Sequence, residues 1–492
     1  MNVLLIISAA LPIVFSVLIR LLKIDGKRKE WLNLGLVILT SILALTAVIL
    51  NPRESFYIFK FTEKLTIEFK LDGIGRIFAG MVAILWPFAY LYALGYMAHG
   101  DEKKNYSMFY VMTFGVVLGI SYSANLLTLY FFYELLTLVT IPLIIHEMTK
   151  EAKRAARFYL YISLFGSTLA LMGIVILISG FNVYEFKDIA SINCDAYKFN
   201  GKESYAYFSY LLMFFGFGVK AAVFPLHMWL PQAGVAPTPT TALLHAVAVV
   251  KAGAFAIIRT IYSTIGIDVL QGSVAQIITV LVVSFTIVYG SSMAVKQIHF
   301  KRRFAMSTVS NISYILLAAT MMSKPGLYAA ILHLLFHSFA KIAIFFVAGE
   351  LNHEAKVTYV DQVDGLGKKM PFTFACFTLA GLSIVGVPMF AGFISKFEIA
   401  NAALLTNTWY GVVGIIALLI SALLTAIYTI SISIRAFFNK PSEYNLANYQ
   451  KAHEGSYKFL VPIATFAIMS LLLGFCGSSV LDLISKILGG VL

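Results

Sequence analysis

The chain has 492 residues, of which 60% are hydrophobic and only 12% are charged. A soluble globular domain is about half apolar and about one quarter charged, so this composition excludes a soluble enzyme or binding module and predicts an all-α polytopic membrane protein. The 37 Lys and Arg residues outnumber the 24 Asp and Glu residues, but most of them lie in short loops between apolar runs, a distribution that argues against nucleic acid as a partner.

The three cysteines, Cys194, Cys376 and Cys476, lie far apart and form no CxxC pair. We therefore expect no iron–sulfur cluster, haem or other cofactor and no metal in this chain. No glycine-rich nucleotide-binding loop is present either. We expect a non-catalytic chain whose energy comes from another polypeptide or from an ion gradient.

Runs of about 20 apolar residues cross a bilayer core about 30 Å thick. On that measure the sequence predicts about fourteen spans in a single integral membrane domain, residues 1–492. The predicted spans start near Val3, Trp31, Gly73, Met108, Asn125, Arg157, Tyr205, Thr240, Val274, Arg303, Leu327, Phe372, Trp409 and Lys458.

Loop charges predict the orientation. Basic residues cluster at 20–29, 150–157 and 296–303, after the first, fifth and ninth spans. The positive-inside rule then places these loops in the cytoplasm and both termini outside. Residues 53–72 alternate between apolar and polar side chains and predict a short external β-hairpin.

The stretch from Phe214 to Arg259 holds two apolar segments, each with a lysine inside it, Lys220 and Lys251. A lysine near the centre of a span costs roughly 2.5–3.5 kcal/mol and usually serves an ion pathway. Four prolines lie between the two lysines: Pro225, Pro231, Pro237 and Pro239. Prolines in spans free backbone carbonyls, so helix breaks are expected here, at Pro225 and Pro237 above all.

Glu134 lies near the middle of the fifth predicted span. It is interpreted as a titratable carboxylate or as the partner of a buried lysine; the alternative is a structural ion pair or a packing hydrogen bond. The alternative for Lys220 and Lys251 is a static amine that fixes helix register. His245 belongs to a hydrated route or is a structural histidine, and His227 is expected to cap or brace the proline-rich turn.

His333, His337 and Lys341 recur every four residues and form one polar stripe on an apolar helix, a pattern that suits proton relay. Metal binding by the two histidines competes with this interpretation, but no third ligand stands at a suitable spacing. The next span is interrupted around Pro388 and then carries Lys396, which repeats the combination of a helix breaker and a buried lysine. Interrupted spans at corresponding places in two halves point to an internal repeat.

Several motifs together resemble the antiporter-like subunit family that is shared by respiratory complex I, energy-converting membrane hydrogenases and Mrp-type cation/proton antiporters. They are PLHMWLPQAGVAPTPTTALLHAVAVVKAGAFAIIR (225–259), LDGIGRIF (71–78), the mid-span Glu134, AVKQIHFKRRFAMSTVSNISYI (294–315), HLLFHSFAKIAIFFVAGE (333–350) and GVPMFAGFISKF (386–397). The resemblance implies fourteen helices with two inverted five-helix repeats, spans 4–8 and 9–13, in which spans 7 and 12 are broken. It divides the chain into N-terminal helices (1–105), a first repeat (106–262), a second repeat (274–437) and a C-terminal loop and last helix (438–492).

The resemblance also implies roles. Glu134 and Lys220 would pair in the first half-channel, Lys251 would be the bridging lysine, and His337 and Lys341 would continue the axis to the terminal lysine, Lys396. His245 and His333 are further candidates for the proton path.

The expected function is proton translocation as a subunit of a redox-driven pump related to complex I or to energy-converting hydrogenases. The alternatives are a multisubunit Na⁺/H⁺ antiporter of the Mrp type and a structural scaffold. Expected partners are other membrane subunits, including further antiporter-like ones, and peripheral iron–sulfur subunits in a prokaryotic cell membrane. The expected ion is H⁺, with Na⁺ as a further candidate.

Overall fold

A computed structural model describes residues 3–52, 54–97, 103–187, 199, 201–441 and 446–489, and most of them are helical. Up to the proline-rich region the helices are α1 (Val3–Leu21), α2 (Gly26–Leu50), α3 (Gly73–Tyr96), α4 (Lys103–Ser121), α5 (Leu126–Ile144), α6 (Lys150–Phe181), α7 (Glu203–Gly218), α8 (Trp229–Gln232), α9 (Thr238–Ala242), α10 (Val249–Arg259) and α11 (Ile267–Leu270).

The remaining helices follow with short connections. They are α12 (Val274–Lys296), α13 (Phe300–Thr320), α14 (Lys324–Ala355), α15 (Pro371–Val385), α16 (Ala391–Leu405), α17 (Trp409–Phe438), α18 (Leu446–Lys451), α19 (Tyr457–Phe475) and α20 (Gly477–Ile487). A helix begins close to each of the predicted span starts.

Ten helices in the described part of the chain are long and apolar enough to cross a membrane, which confirms an all-α polytopic membrane protein. The broken and shorter helices, among them α4 and α15, do not reach that length, so the number fourteen stays a prediction. The predicted hairpin is confirmed: β1 (Phe56–Lys60) pairs antiparallel with β2 (Thr66–Phe69).

Two spans form the interior of the bundle. The apolar window of Thr238–Ile265, which includes α9 and α10, is 100% buried, and that of α14 is 94% buried. The other long apolar spans are at most 67% buried, so they surround these two. Helix α14 packs against α3, α13, α15, α16 and α19, which places its polar stripe at the centre of the protein.

Two helices are interrupted where the sequence predicts breaks. Helix α7 ends at Gly218, and an irregular turn at 219–228 that contains Pro225 leads to α8. Helix α15 ends at Val385, and residues 386–390, which contain Pro388, lead to α16. Pro237 does not interrupt a helix; it is the N-cap residue of α9, and Pro239 lies in the first turn of that helix, where its fixed φ suits a helix start.

Two π-helical segments, Leu243–Val247 and Thr260–Ile265, flank α10. The sequence predicts neither segment. The first, for example, contains no proline or glycine. Such segments occur mostly at functional sites. The first one contains His245 and lies before Lys251. Regular α-helical spacing therefore does not give the relative directions of these two side chains.

A buried ion pair joins the start of α3 to the end of α10. Asp72 accepts from the backbone N–H of Gly75 at 2.9 Å and thereby caps α3. The guanidinium of Arg259 is fully buried and bonds both carboxylate oxygens of Asp72, with Nη2–Oδ1 at 2.6 Å. The ring centroids of Phe186 and Phe255 lie 4.9 and 5.0 Å from the central carbon of this guanidinium. One carboxylate therefore serves as a helix cap and as a link between distant parts of the chain.

We predict that Arg259→Met lowers thermal stability strongly, because it leaves the Asp72 carboxylate buried without its cation, a change that costs about 3–5 kcal/mol. The matched control is Arg435→Met, which removes a more exposed bidentate pair with Asp364; exposed pairs contribute at most about 1 kcal/mol. The measurement is the unfolding midpoint of the purified protein in mild detergent. Equal midpoints for the two variants would contradict the prediction.

A second prediction concerns the close crossing of α15 and α16 at the break. A Cβ atom on Gly392 would collide with the backbone carbonyl of Ser383, whereas one on Gly234 would meet no atom within 4 Å. Gly392→Ala should therefore destabilise the protein by about 1–3 kcal/mol through overpacking, and Gly234→Ala should not. Size-exclusion chromatography after graded heating measures both, and an unaffected Gly392→Ala protein would show that the crossing is not tight.

Candidate functional site

Lys220 lies in the turn after α7 and is fully buried. Its Nζ donates to the backbone carbonyl of Tyr133 on α5, and the same atom lies 3.3 Å from the centroid of the Tyr133 ring. The aromatic face and the carbonyl oxygen both present negative partial charge to the amine. The interruption after Gly218 allows this arrangement, because it lets the lysine leave the helical path and reach α5.

The expected ion pair between Glu134 and Lys220 is not formed. No salt bridge joins the two side chains, although they are close enough for electrostatic attraction. Glu134 is only half-buried, and its Oε1 has no hydrogen-bond partner in the described part of the chain. Lys220 contacts Tyr133, the residue before Glu134 in α5, while the Glu134 carboxylate lies near Ser167 of α6.

Lys251 and His337 meet at the centre of the bundle. Lys251 Nζ lies 2.8 Å from Nδ1 of His337 and donates to the backbone carbonyl of Leu334 at 3.1 Å. Both side chains are buried, and they come from α10 and α14 respectively. The pair is thus a direct donor–acceptor contact between a buried amine and an imidazole.

The line of contacts continues from His337 toward the second helix break. The rings of His337 and His333 stack with centroids 5.9 Å apart. His333 Nδ1 lies 2.9 Å from Oγ of Ser395, the residue before Lys396. Lys396 Nζ donates to the carbonyls of Ile384 and Val385 at 2.7 and 2.9 Å. These carbonyls are free because α15 ends there.

Lys341 shares the helix face of His337 but bonds in another direction. Its Nζ donates to Oγ of Ser307 at 2.7 Å, and the hydroxyl of Tyr428 donates to the same oxygen at 2.6 Å. Lys341 therefore belongs to a branch that runs from α14 through α13 to α17. The structure brings it close to the central line without a direct hydrogen bond to it.

Two further histidines, His245 and His227, form no hydrogen bond within the described chain. Both ring nitrogens of His245 lack a hydrogen-bond partner, and its ring lies 4.7 Å from that of Phe345. His227 does not cap the turn by hydrogen bonding; its ring packs on Phe224 and Tyr289 at 5.6 and 5.0 Å. His227 braces the turn by these ring contacts.

Sequence reasoning missed the aromatic and hydroxyl partners. Tyr133, Ser307, Tyr314, Ser395 and Tyr428 all touch or orient a buried lysine or histidine. Small hydroxyl residues and tyrosines are common in spans, so their positions carried no signal. Among the described residues, no three His, Cys, Asp or Glu side chains converge as metal ligands.

Comparisons with known proteins agree on the architecture. The family model for the membrane part of NADH:quinone oxidoreductases and Mrp antiporters matches residues 123–425. The Na(+)/H(+) antiporter subunit A1 of Staphylococcus aureus strain JH9 is 28% identical over 500 residues, which cover 95% of this chain and 60% of that protein. The chain thus spans 60% of the length of the curated relatives it matches, and the same values hold for the strain Mu50 protein.

Two solved structures have the same fold. One is a chain of the membrane-bound sulfane sulfur reductase, an archaeal respiratory membrane complex, with a TM-score of 0.85, 20% identity and coverage of 100% of this chain and 98% of that one. The other is a chain of the Mrp complex from Dietzia sp. DQ12-45-1b, with a TM-score of 0.83, 20% identity and coverage of 99% and 97%. Because the family model covers more than half of this chain, including every lysine and histidine of the central line, the protein belongs to the antiporter-like membrane family of NADH:quinone oxidoreductases and Mrp antiporters.

Proposed function

We propose that this chain is a proton-translocating subunit of a multisubunit redox-driven ion pump related to complex I or to energy-converting hydrogenases. The observation that carries the proposal is the buried line Lys251–His337–His333–Ser395, which ends beside Lys396; Lys251 lies 2.8 Å from His337, and His333 lies 2.9 Å from Ser395. Ionisable groups inside a membrane protein are rare and mark ion pathways.

Each member of the line has chemistry suited to proton transfer. The ammonium of Lys251 can donate to Nδ1 of His337, since imidazole accepts a proton at one nitrogen and releases one from the other. His337 and His333 each have an Nε2 without a partner in the described chain, and a bridging water between such atoms would connect the two rings. His333 contacts Ser395, the residue before Lys396, and a bridging water would carry the proton over the last step to Lys396.

Glu134 and Lys220 form the first half of the proposed path. Since Lys220 rests on Tyr133, the amine has two alternative partners, the Tyr133 ring and carbonyl or the neighbouring Glu134 carboxylate. Movement between them would change the charge near Lys251, because Gly253 of the same helix packs directly against the backbone of Lys220.

The lateral surface of α5 supports a membrane partner. Glu134 lies on the same helix face as Phe131 and Leu138, which are 47% and 58% exposed. A half-buried carboxylate facing lipid at mid-span is unfavourable. We infer that another membrane subunit covers this face. Membership of multisubunit complexes by both structural neighbours favours this arrangement.

Further details belong to the same proposal. They are a prokaryotic cell membrane with both termini outside, two inverted repeats at 106–262 and 274–437, and peripheral iron–sulfur subunits as the electron-transferring partners. Similarity to a respiratory membrane complex supports the last of these.

A Na⁺/H⁺ antiporter subunit is the second candidate, because the curated relatives carry that name. The same Lys–His line would then carry protons in exchange for sodium ions. Under a purely structural role, by contrast, the buried charges would be static, and each could be neutralised without loss of transport.

We predict that Lys251→Met and His337→Leu each reduce proton translocation at least tenfold, because each removes one side of the central contact. His227→Leu is the matched control. His227 is buried, lies outside the line and forms no hydrogen bond in the described chain. Acidification of inverted membrane vesicles, followed by a pH-sensitive dye, measures transport, and immunoblots verify assembly. Full transport by both variants would refute the role of the central line in proton transfer. The variants Glu134→Gln and Lys220→Met apply the same test to the first half of the proposed path.

We also predict that the complex purified through a tag on this subunit contains iron in stoichiometric amount. A redox-driven pump needs an electron-transfer chain, and this chain shows no converging metal ligands in its described part. Elemental analysis and identification of the co-purified chains provide the measurement; nickel would identify a hydrogenase. An assembly of membrane proteins without metal would contradict the redox assignment and favour the antiporter.

A further inference from the structure

The lysines at the two helix breaks share an unexpected neighbour. Lys220 Nζ lies 3.3 Å from the ring centroid of Tyr133, and Lys396 Nζ lies 5.1 Å from that of Tyr314. The two tyrosines belong to α5 and α13, which lie in different halves of the chain. The same combination of a broken helix, a lysine and a tyrosine face therefore occurs twice.

Neutral groups make the direct contacts of both amines. Lys220 donates to the Tyr133 carbonyl, and Lys396 donates to the carbonyls of Ile384 and Val385. Within the described part of the chain, neither lysine forms a salt bridge with a carboxylate. A ring face and carbonyl oxygens attract a charged ammonium far more strongly than a neutral amine, because the attraction is electrostatic. Compared with a lining of apolar groups alone, these contacts favour the protonated form.

Both rings are fixed in place. Tyr133 is buried, its hydroxyl donates to the carbonyl of Phe217 at 3.3 Å, and its ring meets that of Phe217 edge to face at 5.0 Å. Tyr314 is also buried, and its hydroxyl donates to Oγ of Ser421 at 2.6 Å. A ring held in this way keeps its face toward the amine when the lysine side chain moves.

Other ionisable groups act on the two sites. Glu134 is the charged group beside Lys220, and Tyr159 of α6 also interacts with that carboxylate. On Lys396 the groups are His333, His337 and Lys341 of α14; the His333 ring lies 5.5 Å from that of Tyr314. These groups are left unchanged in the test, so that only the ring is varied.

We propose that Tyr133 and Tyr314 are positioning residues whose ring faces, together with the adjacent carbonyls, hold the protonated amines of Lys220 and Lys396 at the two helix breaks. The inference rests on the proposed function and deepens it. In its resting position the amine of each lysine lies against the tyrosine ring. The lysine delivers its proton after the amine leaves that position. Tyr133 and Tyr314 do not exchange protons themselves.

The test replaces the ring and keeps the lysine. Tyr314→Leu removes the aromatic face, whereas Tyr314→Phe keeps it and loses only the hydroxyl. We expect Tyr314→Leu to move the midpoint of lysine titration downward by about one pH unit, a tenfold loss of proton affinity, and Tyr314→Phe to move it much less. Tyr210→Leu is the control for loss of a buried ring. The hydroxyl of Tyr210 donates a hydrogen bond to Thr279, and no lysine of the described chain lies over its ring.

The readout does not depend on transport. Isotope-edited infrared spectroscopy of the purified complex follows the lysine ammonium band with pH, and its loss in Lys396→Met assigns the band. If Tyr314→Leu folds poorly, phenylalanines with increasing fluorination at position 314 weaken the ring face without changing its shape, and the midpoint should fall with each fluorine. The same series at position 133, assigned with Lys220→Met, tests the other break.

The outcomes separate the two proposals. A midpoint that stays constant across the fluorinated series, or that falls equally in Tyr210→Leu, overturns the role of the rings and leaves the proton path intact. A midpoint that falls as expected in a complex whose Lys396→Met variant still pumps fully upholds the role of the ring and refutes the proposed function of Lys396.

Discussion

Burial of amines in the membrane interior is the constraint on which this structure depends. Lys220, Lys251 and Lys396 all donate to backbone carbonyls, those of Tyr133, Leu334, and Ile384 with Val385 respectively. The carbonyls of Tyr133 and Leu334 lie within α5 and α14, whereas those of Ile384 and Val385 lie at the end of α15, where no later turn of the helix uses them and lipid offers no water in its place. The helix end at Val385 is therefore a requirement for the position of Lys396, because it frees the oxygens that stabilise the charge.

The same constraint explains why the most buried helices are also the most irregular. The span Thr238–Ile265 is fully buried and contains two π-helical segments around α10, and α14 carries the central histidines. Long outer helices such as α6 and α17 meet lipid and remain regular over their length. Irregular backbone is tolerated where protein surrounds it, and there it presents polar groups to the interior. Polar function and irregular geometry thus coincide in the centre of the bundle.

The sequence predicts the parts of this arrangement that depend on local pattern. Apolar runs give the spans, prolines at 225 and 388 give the breaks, and four-residue spacing gives the stripe His333–His337–Lys341. It does not predict contacts between distant segments. Arg259 and Asp72 are 187 residues apart, and nothing local shows that a helix cap in α3 also binds a guanidinium. Nor does the sequence predict that the direct contact of Lys220 is with Tyr133: a shift of one residue along α5 exchanges a carboxylate for a tyrosine ring, and the packing of α5 against the turn decides which of them the amine touches.

The absence of carboxylates from the central line has a consequence for how protons would travel along it. In the described chain the line contains Lys251, His337, His333 and Lys396, with Lys341 beside it, and no acidic side chain bonds any of them. Two like charges about 10 Å apart repel by about 1.7 kcal/mol at an effective dielectric near 20. Protonation of one amine therefore disfavours protonation of the next. On the proposed function, a proton that enters at Lys251 promotes release at Lys396 before it arrives there, so that charge moves through the line as a succession of short transfers. Neutral partners make this responsiveness feasible, because a fixed carboxylate beside each lysine would hold every proton in place.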